Sequence, residues 1–207
     1  MKETMPKRVD RVRSAREMRM LAPVALLLLA ASMAFAVSPK PGDAAPPLTP
    51  EDIKGRALAV PAPGRVLLLS FASPSSGEAV GEIARALRVE HPELEILSFI
   101  DLSGFPGFMH GVVRRRIAKR QAGAVEATRA AFARAGKTAP DDLDARIHIV
   151  PDFDATACKA YGASDDGNQP LLVLIGADGR IKASFANPAL AEVQAAIAKE
   201  KGTDPPR

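Results

Sequence analysis

Sulfur and aromatic side chains are scarce in this chain of 207 residues. It has one cysteine, Cys158, together with one tyrosine and no tryptophan. An oxidising compartment would favour paired thiols, yet a lone cysteine rules out an intramolecular disulfide. Hydrophobic residues make up 47% of the chain and aromatic residues 4%, which predicts an ordinary globular domain with an aliphatic core.

Excess charge is also lacking in most of the chain, despite a formal net charge of +4. The chain has 28 basic and 24 acidic residues. Seven of the basic and three of the acidic residues lie within residues 1–20, and residues 21–36 have no charged residue. The rest of the chain therefore has 21 basic and 21 acidic residues. The global charge beyond residue 36 therefore gives no support for DNA, RNA or an anionic lipid as a partner. We expect no nucleic-acid partner.

The first 36 residues predict export. A basic stretch is followed by an uncharged apolar run from Leu21 to Ala36, which ends in Ala34-Phe35-Ala36. This small-x-small pattern is typical of a cleavage site, so we assign residues 1–36 to a signal peptide and expect a periplasmic or otherwise extracytoplasmic protein. The alternative is an uncleaved anchor, because the run is near the shortest that spans a bilayer. Only then would a membrane be a partner.

The remaining chain predicts one domain. Residues 37–50 are rich in proline, alanine and glycine and lack apolar periodicity, which favours an extended linker. The domain is expected at 51–201, and a flexible tail at 202–207. We find no internal repeat.

A strand, a helix and a second strand are predicted at the start of the domain. Residues 65–72 are almost continuously apolar, as in a central strand covered on both faces. Ser75-Ser76-Gly77-Glu78 matches a helix capping box, and His91-Pro92 ends that helix. Residues 94–100 form a second apolar run, which completes a βαβ unit.

Further helices and strands alternate after this unit. The last is a helix with Asn187 as its cap and Pro188 in its first turn. Before it, in chain order, we expect a helix with Met109, Val113 and Ile117 on one face, a separate helix at 125–135, a strand at 146–150, a short helix at 154–161, and a hairpin of strands 171–175 and 181–185.

These elements in this order resemble the thioredoxin-like superfamily, in particular the redoxin group of exported TlpA-like and AhpC/TSA-like proteins. The resemblance implies an α/β fold, a thioredoxin-like three-layer α/β/α sandwich with a mixed central sheet. The long insertion after Asp101 is also similar to YtfJ-type periplasmic proteins. The matching stretches are the strand at 64–71, the active-site loop and helix start at 72–79, the strand and helix at 152–162, and Pro170 with the hairpin at 171–181.

Both cysteine positions of the family's Trp-Cys-x-x-Cys motif are changed in this chain. Ser76 and Ala79 stand where the resemblance places the two thiols. A helix N-terminus lowers the pKa of a thiol toward neutrality, but not that of a serine hydroxyl. Dithiol exchange at this site is therefore excluded, and Ser76 cannot form the sulfenic acid that peroxide reduction requires.

Pro170 is the second feature that the resemblance singles out. In the family, the peptide bond before this proline is cis, and the adjacent backbone pairs with extended substrates. We therefore expect a cis Gln169-Pro170 bond and a groove for a protein or extended peptide, formed with Ser75 and Ser76. The alternative is a plain proline at the start of a strand.

Cys158 and the polar clusters allow several interpretations. We expect Cys158 to be a buried, inert thiol, with a reactive or intermolecular thiol as the alternative. Asp152, Asp154 and His148 match no standard ligand set, so we expect neither a metal nor a cofactor. Ser76 as a hydrolase nucleophile would need a histidine base. The basic cluster Arg114–Arg116, Lys119 and Arg120 is expected to face solvent, or to form a contact site with Phe105, Pro106 and Phe108.

The sequence thus predicts an exported thioredoxin-fold protein that has lost its catalytic dithiol. We expect a non-catalytic domain that binds a peptide or protein, or regulates one. The alternative is a thiol-disulfide oxidoreductase or peroxiredoxin-like enzyme that uses Cys158 or a partner's thiol. A small-ligand carrier using the loop at 103–108 has no polar constellation to support it.

Overall fold

The computed structural model describes residues 38–163 and 169–202. The predicted signal peptide lies outside the described residues, as do residues 203–207 of the predicted tail. The elements are β1 (Leu67–Ala72), α1 (Gly77–Glu90), β2 (Glu95–Asp101), a 3-10 turn (Gly107–Met109), α2 (His110–Arg134), α3 (Leu143–Arg146), β3 (Ile147–Asp152), α4 (Thr156–Tyr161), β4 (Leu171–Ile175), β5 (Ile181–Ala186) and α5 (Leu190–Glu200).

The five strands form one mixed sheet in the order β3-β2-β1-β4-β5. Strands β1, β2 and β3 are parallel, whereas β4 runs antiparallel to both β1 and β5. The central strand β1 is covered on both faces, so its leucines Leu67, Leu68 and Leu69 are fully buried. The predicted α/β fold with a mixed central sheet is confirmed.

Each face of the sheet carries its own hydrophobic cluster. Leu68 packs with Leu87 of α1 and Val193 of α5 on one face. On the opposite face, Phe71 packs with residues of α4, and its ring stacks on that of Tyr161 at 5.3 Å between centroids. A smaller cluster joins α2 to α1 and the edge strand β3. Two helical layers therefore enclose the sheet, and no helix among the described residues combines the length and hydropathy needed to cross a membrane.

One continuous helix, α2, replaces the two separate helices that the sequence predicted after residue 109. It runs for 25 residues, from His110 to Arg134. Its buried side chains recur every three or four positions along the whole length, so tertiary packing carries the helix through Gly123. These buried residues are Ile117, Gln121, Val125, Thr128 and Phe132.

The closing helix α5 also begins later than predicted. Its N-cap is Ala189, so neither Asn187 nor Pro188 lies in the helix. Asn187 has a φ of 50°, a left-handed conformation that asparagine tolerates better than most residues. Its N–H donates to the carbonyl oxygen of Pro170 at 3.0 Å, which extends the pairing of β4 with β5 by one residue.

Residues 38–50 pack against the domain, whereas the sequence predicted an extended linker. The N–H of Gly42 donates to the carbonyl of Ile181 at 2.8 Å, and the hydroxyl of Tyr161 donates to the carbonyl of Pro46 at 2.8 Å. Leu48 forms a bridge with Val60. Because these bonds use backbone atoms, the segment needs no apolar periodicity to lie along the sheet.

A buried carboxylate, Asp52, joins this N-terminal segment to β3. Its oxygens accept hydrogen bonds from Arg56 Nε at 2.7 Å, from the backbone N–H of Lys54 at 2.9 Å and from His148 Nδ1 at 3.2 Å. Burial opposes ionisation of Asp52, but the hydrogen bonds from Arg56, His148 and Lys54 outweigh it and lower the pKa. The Arg56 side chain in turn donates to the carbonyls of Ala145 and Ile147.

We expect Asp52→Asn to lower the free energy of unfolding by about 3 kcal/mol, because Arg56 loses its buried counter-charge and the hydrogen bond from His148 loses a charged acceptor. The folded-state pKa lies below the ordinary 3.8, so this stabilisation is present above about pH 4 and is lost as the pH falls. Urea unfolding at pH 7 and pH 3 measures both effects.

The matched control is Asp142→Asn, which removes an exposed partner of Arg146. It should change the free energy of unfolding by no more than about 0.5 kcal/mol. Equal effects of the two substitutions would contradict the role assigned to Asp52.

Candidate functional site

The loop between β1 and α1 is a tight turn held by three serine side chains. The N–H of Ser73 donates to Ser76 Oγ at 3.1 Å, and the N–H of Ser76 donates to Ser73 Oγ at 3.3 Å. The hydroxyls of Ser73 and Ser75 lie 2.7 Å apart. This turn ends the central strand and directs the chain into α1 at Gly77.

The start of α1 lies where the sequence predicted it, but the capping box does not form. Ser76, not Ser75, is the N-cap residue, and its side chain makes no capping hydrogen bond. Its Oγ instead accepts the N–H of Ser73 within the serine turn. A local turn therefore competes successfully with the capping pattern for the same hydroxyl.

Ser76 and Ala79, the positions implied for the two thiols, lie one turn apart at the start of α1. Ser76 is half-buried and Ala79 is exposed. The first-turn amides of a helix favour negative charge nearby, and this favours a thiolate over a thiol. A serine hydroxyl and a methyl group cannot use that field, so the site retains the helix terminus and lacks the nucleophile.

None of the three histidines is hydrogen-bonded to Ser76, so none is placed to act as its general base. The chain has three histidines, and each has contacts elsewhere. A serine hydrolase needs a base held beside the nucleophile, so these contacts argue against that alternative. His91 caps the far end of α1, His110 Nε2 lies 3.0 Å from the carbonyl of Phe105, and His148 Nδ1 binds Asp52.

Pro170 lies at the same end of the sheet as the serine turn. The antiparallel register pairs Phe71 with Leu171, so Pro170 follows at the position opposite Ala72. Gln169 beside it is exposed. Among the described residues, the peptide bond between Val60 and Pro61 is cis. The cis bond that the sequence predicted between Gln169 and Pro170 is not confirmed. The proline carbonyl continues the strand pairing, as expected for a proline at the start of a strand.

Cys158 lies on the other face of the sheet. Its side chain is 3% exposed and belongs to the cluster of Phe71, Phe99 and Tyr161, whereas α1 packs on the opposite face. A thiol in this position cannot join Ser76 or Ala79 in a common site without unfolding α4 or the sheet. The sequence-based expectation of a buried thiol agrees with this placement.

The carboxyl of Asp152 is the polar neighbour of Cys158. Its Oδ2 accepts the backbone N–H of Cys158 at 2.9 Å. Burial raises the pKa of Asp152, and a nearby carboxylate disfavours a thiolate. The surroundings of Cys158 are therefore the opposite of the electropositive sites in which reactive cysteines occur.

A cavity of about 590 Å³ opens at the opposite end of the sheet, at the starts of the parallel strands. Sequence reasoning missed it, because residues from distant segments form its wall. Arg65 pairs with Glu95 there at 2.8 Å, and the wall carries no serine, threonine or cysteine. Burial lowers the pKa of His148, which also lines this cavity. The cavity thus offers paired charges and, among its lining residues, no hydroxyl or thiol nucleophile.

The side chains of the basic cluster after residue 113 have different surroundings. The guanidinium of Arg114 lies 5.2 Å from the ring centroid of Phe153, which His110 also stacks against at 4.0 Å. Arg115, Arg116, Lys119 and Arg120 are exposed. Within the described ranges, no group of three or more His, Cys, Asp or Glu side chains is placed to hold a metal ion.

Solved structures show that the domain has the thioredoxin-like fold. A protein described as the thiol:disulfide interchange protein DsbE from Chlorobium tepidum is 13% identical, with a TM-score of 0.51 over 79% of this chain and 99% of that one. BsSco, a member of the Sco family of cytochrome c oxidase assembly proteins, is 16% identical, with a TM-score of 0.50 over 80% and 96%. No protein-family profile and no curated protein matches the sequence.

We expect the thiol of Cys158 in the folded protein to react with 5,5′-dithiobis(2-nitrobenzoic acid) about 100-fold more slowly than in the protein unfolded in urea. In the folded protein, the reagent can reach this thiol only when α4 opens locally. A Cys158→Ala, Ser75→Cys variant is the matched control, since position 75 is exposed. Its thiol should react at the same rate with and without urea. Rapid reaction of native Cys158 would contradict its assignment as a packed thiol.

Proposed function

We propose that this chain is an exported, non-catalytic thioredoxin-fold domain that binds a protein or an extended peptide. The observation that carries the proposal is that the chain's one thiol is separated from the helix N-terminus that would activate it. The helix terminus that would activate a thiol carries Ser76 and Ala79, and the only thiol lies buried on the opposite face of the sheet.

Ser75, Ser76, Gln169 and Pro170 form the proposed binding surface at one end of the sheet. Ser75 and Gln169 are exposed, and the register of β1 and β4 brings the two segments to the same end. First-turn amides of α1 can donate to carbonyl or carboxylate oxygens of a bound chain. The polar hydroxyls and amide on either side supply further donors and acceptors.

An enzyme that uses Cys158 is the less favoured function. Thiol chemistry requires an accessible thiolate, and Cys158 is almost fully buried against a carboxyl group. Wild-type protein should therefore reduce neither insulin disulfides nor hydrogen peroxide above the rate of the Cys158→Ala variant. Activity in the wild type that Cys158→Ala abolishes would replace this proposal with the enzymatic one.

The proposed binding surface predicts where selected peptides bind. Peptides taken from a displayed random library should shift the NMR signals of residues 73–76 and 169–171. Ser75→Arg should weaken their binding by about tenfold or more, a cost of roughly 1.4 kcal/mol for a blocked contact. Ser184→Arg, at an exposed serine on β5, is the control and should leave binding unchanged. Shifts confined to another face would contradict the assignment.

Export is supported by residues 1–36 alone. Expressed in a Gram-negative host, the chain should be found in the periplasm with a mature N-terminus near Val37, because cleavage follows Ala36. N-terminal sequencing of the fractionated protein measures this. An intact N-terminus in the membrane fraction would show that the segment is an anchor, and a cytosolic protein would contradict export.

A further inference from the structure

The outer face of α2 and the turn before it expose apolar and basic side chains together. Phe108 is 87% exposed and Val112 is 55% exposed, and these are the exposed large hydrophobic residues of the described chain. Arg115, Arg116 and Lys119 are exposed beside them. We call these five residues the α2 patch.

Helical geometry places the α2 patch on a single face. Val112, Arg115, Arg116 and Lys119 have the spacing i, i+3, i+4 and i+7, which a helix brings to one side, and Phe108 lies one turn earlier. The opposite side of α2 is the one that packs on the domain, through buried residues such as Ile117. The patch therefore has no role in the core.

Positive charge in the patch is locally unbalanced, although the domain as a whole is neutral. Residues 110–125 contain five basic residues and no acidic one. In the described ranges, none of the three cations of the patch forms an ion pair. Electrostatic potential near a surface follows the nearest charges, so the neutrality of the distant chain does not cancel this field.

We propose that the α2 patch docks on an anionic lipid surface. Phe108 stands outward from a turn, and an aromatic side chain in that position can enter the boundary between headgroups and acyl chains. With the cations behind it, the patch extends over about 16 Å from residue 108 to residue 119, at 1.5 Å per residue. This spread suits the diffuse charge of lipid phosphates. The proposed export would bring the patch to a bilayer, but the contact itself requires only these side chains.

Vesicle sedimentation tests the contact with residues 38–207, which contain every hydrophobic cluster of the described residues and exclude the apolar leader. The wild type should bind vesicles of equal parts phosphatidylglycerol and phosphatidylcholine at least tenfold more tightly than phosphatidylcholine alone. Each cation near an anionic bilayer strengthens binding about fivefold, so Arg115→Gln, Arg116→Gln should weaken it about 25-fold.

Arg129→Gln, Lys199→Gln is the matched control. It removes two positive charges from exposed positions outside the patch and should leave vesicle binding nearly unchanged. An equal loss in both double variants would overturn the proposal, because net charge and not the patch would then determine binding. Equal binding to the two kinds of vesicle would also overturn it.

Tryptophan fluorescence tests the insertion of residue 108 directly. The chain has no tryptophan, so Phe108→Trp supplies a unique probe. Its emission should shift to shorter wavelength on phosphatidylglycerol vesicles, whereas Ala133→Trp, at the far end of α2, should not shift. An unshifted Phe108→Trp spectrum would overturn the proposal. Binding of soluble polyglutamate as tight as that of vesicles would do the same, and would assign the patch to an acidic protein.

Discussion

Burial of β1 on both faces is the constraint on which the rest of the structure depends. Leu68 faces α1 and α5, while Leu67 and Leu69 face the cluster that contains Cys158. Because neither face reaches water, β1 itself can offer side chains to a partner only at its ends. The end after Ala72 is where the serine turn starts α1 and where β4 brings in Pro170.

The same constraint places the N-terminus of α1 and the thiol of Cys158 on different sides of the sheet. The helix terminus that would stabilise a thiolate lies at the end of β1, and the sulfur of Cys158 lies beneath the opposite face. Asp152 occupies the polar position beside that sulfur, where it adds negative charge and not positive charge. The helix N-terminus at the end of β1 and the chain's one cysteine sulfur therefore lie on different sides of the sheet.

Local patterns in the sequence were sufficient to predict the main helices and strands, but not the contacts between residues that are distant in the sequence. The apolar runs at 65–72 and 94–100 predicted the central strands, because a strand buried on both faces must be apolar throughout. The continuity of α2 through Gly123 was missed, since it depends on packing against β3. The bond between Asp52 and His148 joins residues 96 positions apart, so no local spacing signals it.

The most direct measurement of the central claim restores the missing sulfur. A Ser76→Cys, Ala79→Cys variant in the Cys158→Ala background should gain insulin reductase activity, and the pKa of its first thiol should fall below the usual value of about 8.5. The first-turn amides of α1 would stabilise that thiolate. A folded variant that forms the new disulfide yet shows no activity and an ordinary thiol pKa would contradict the account.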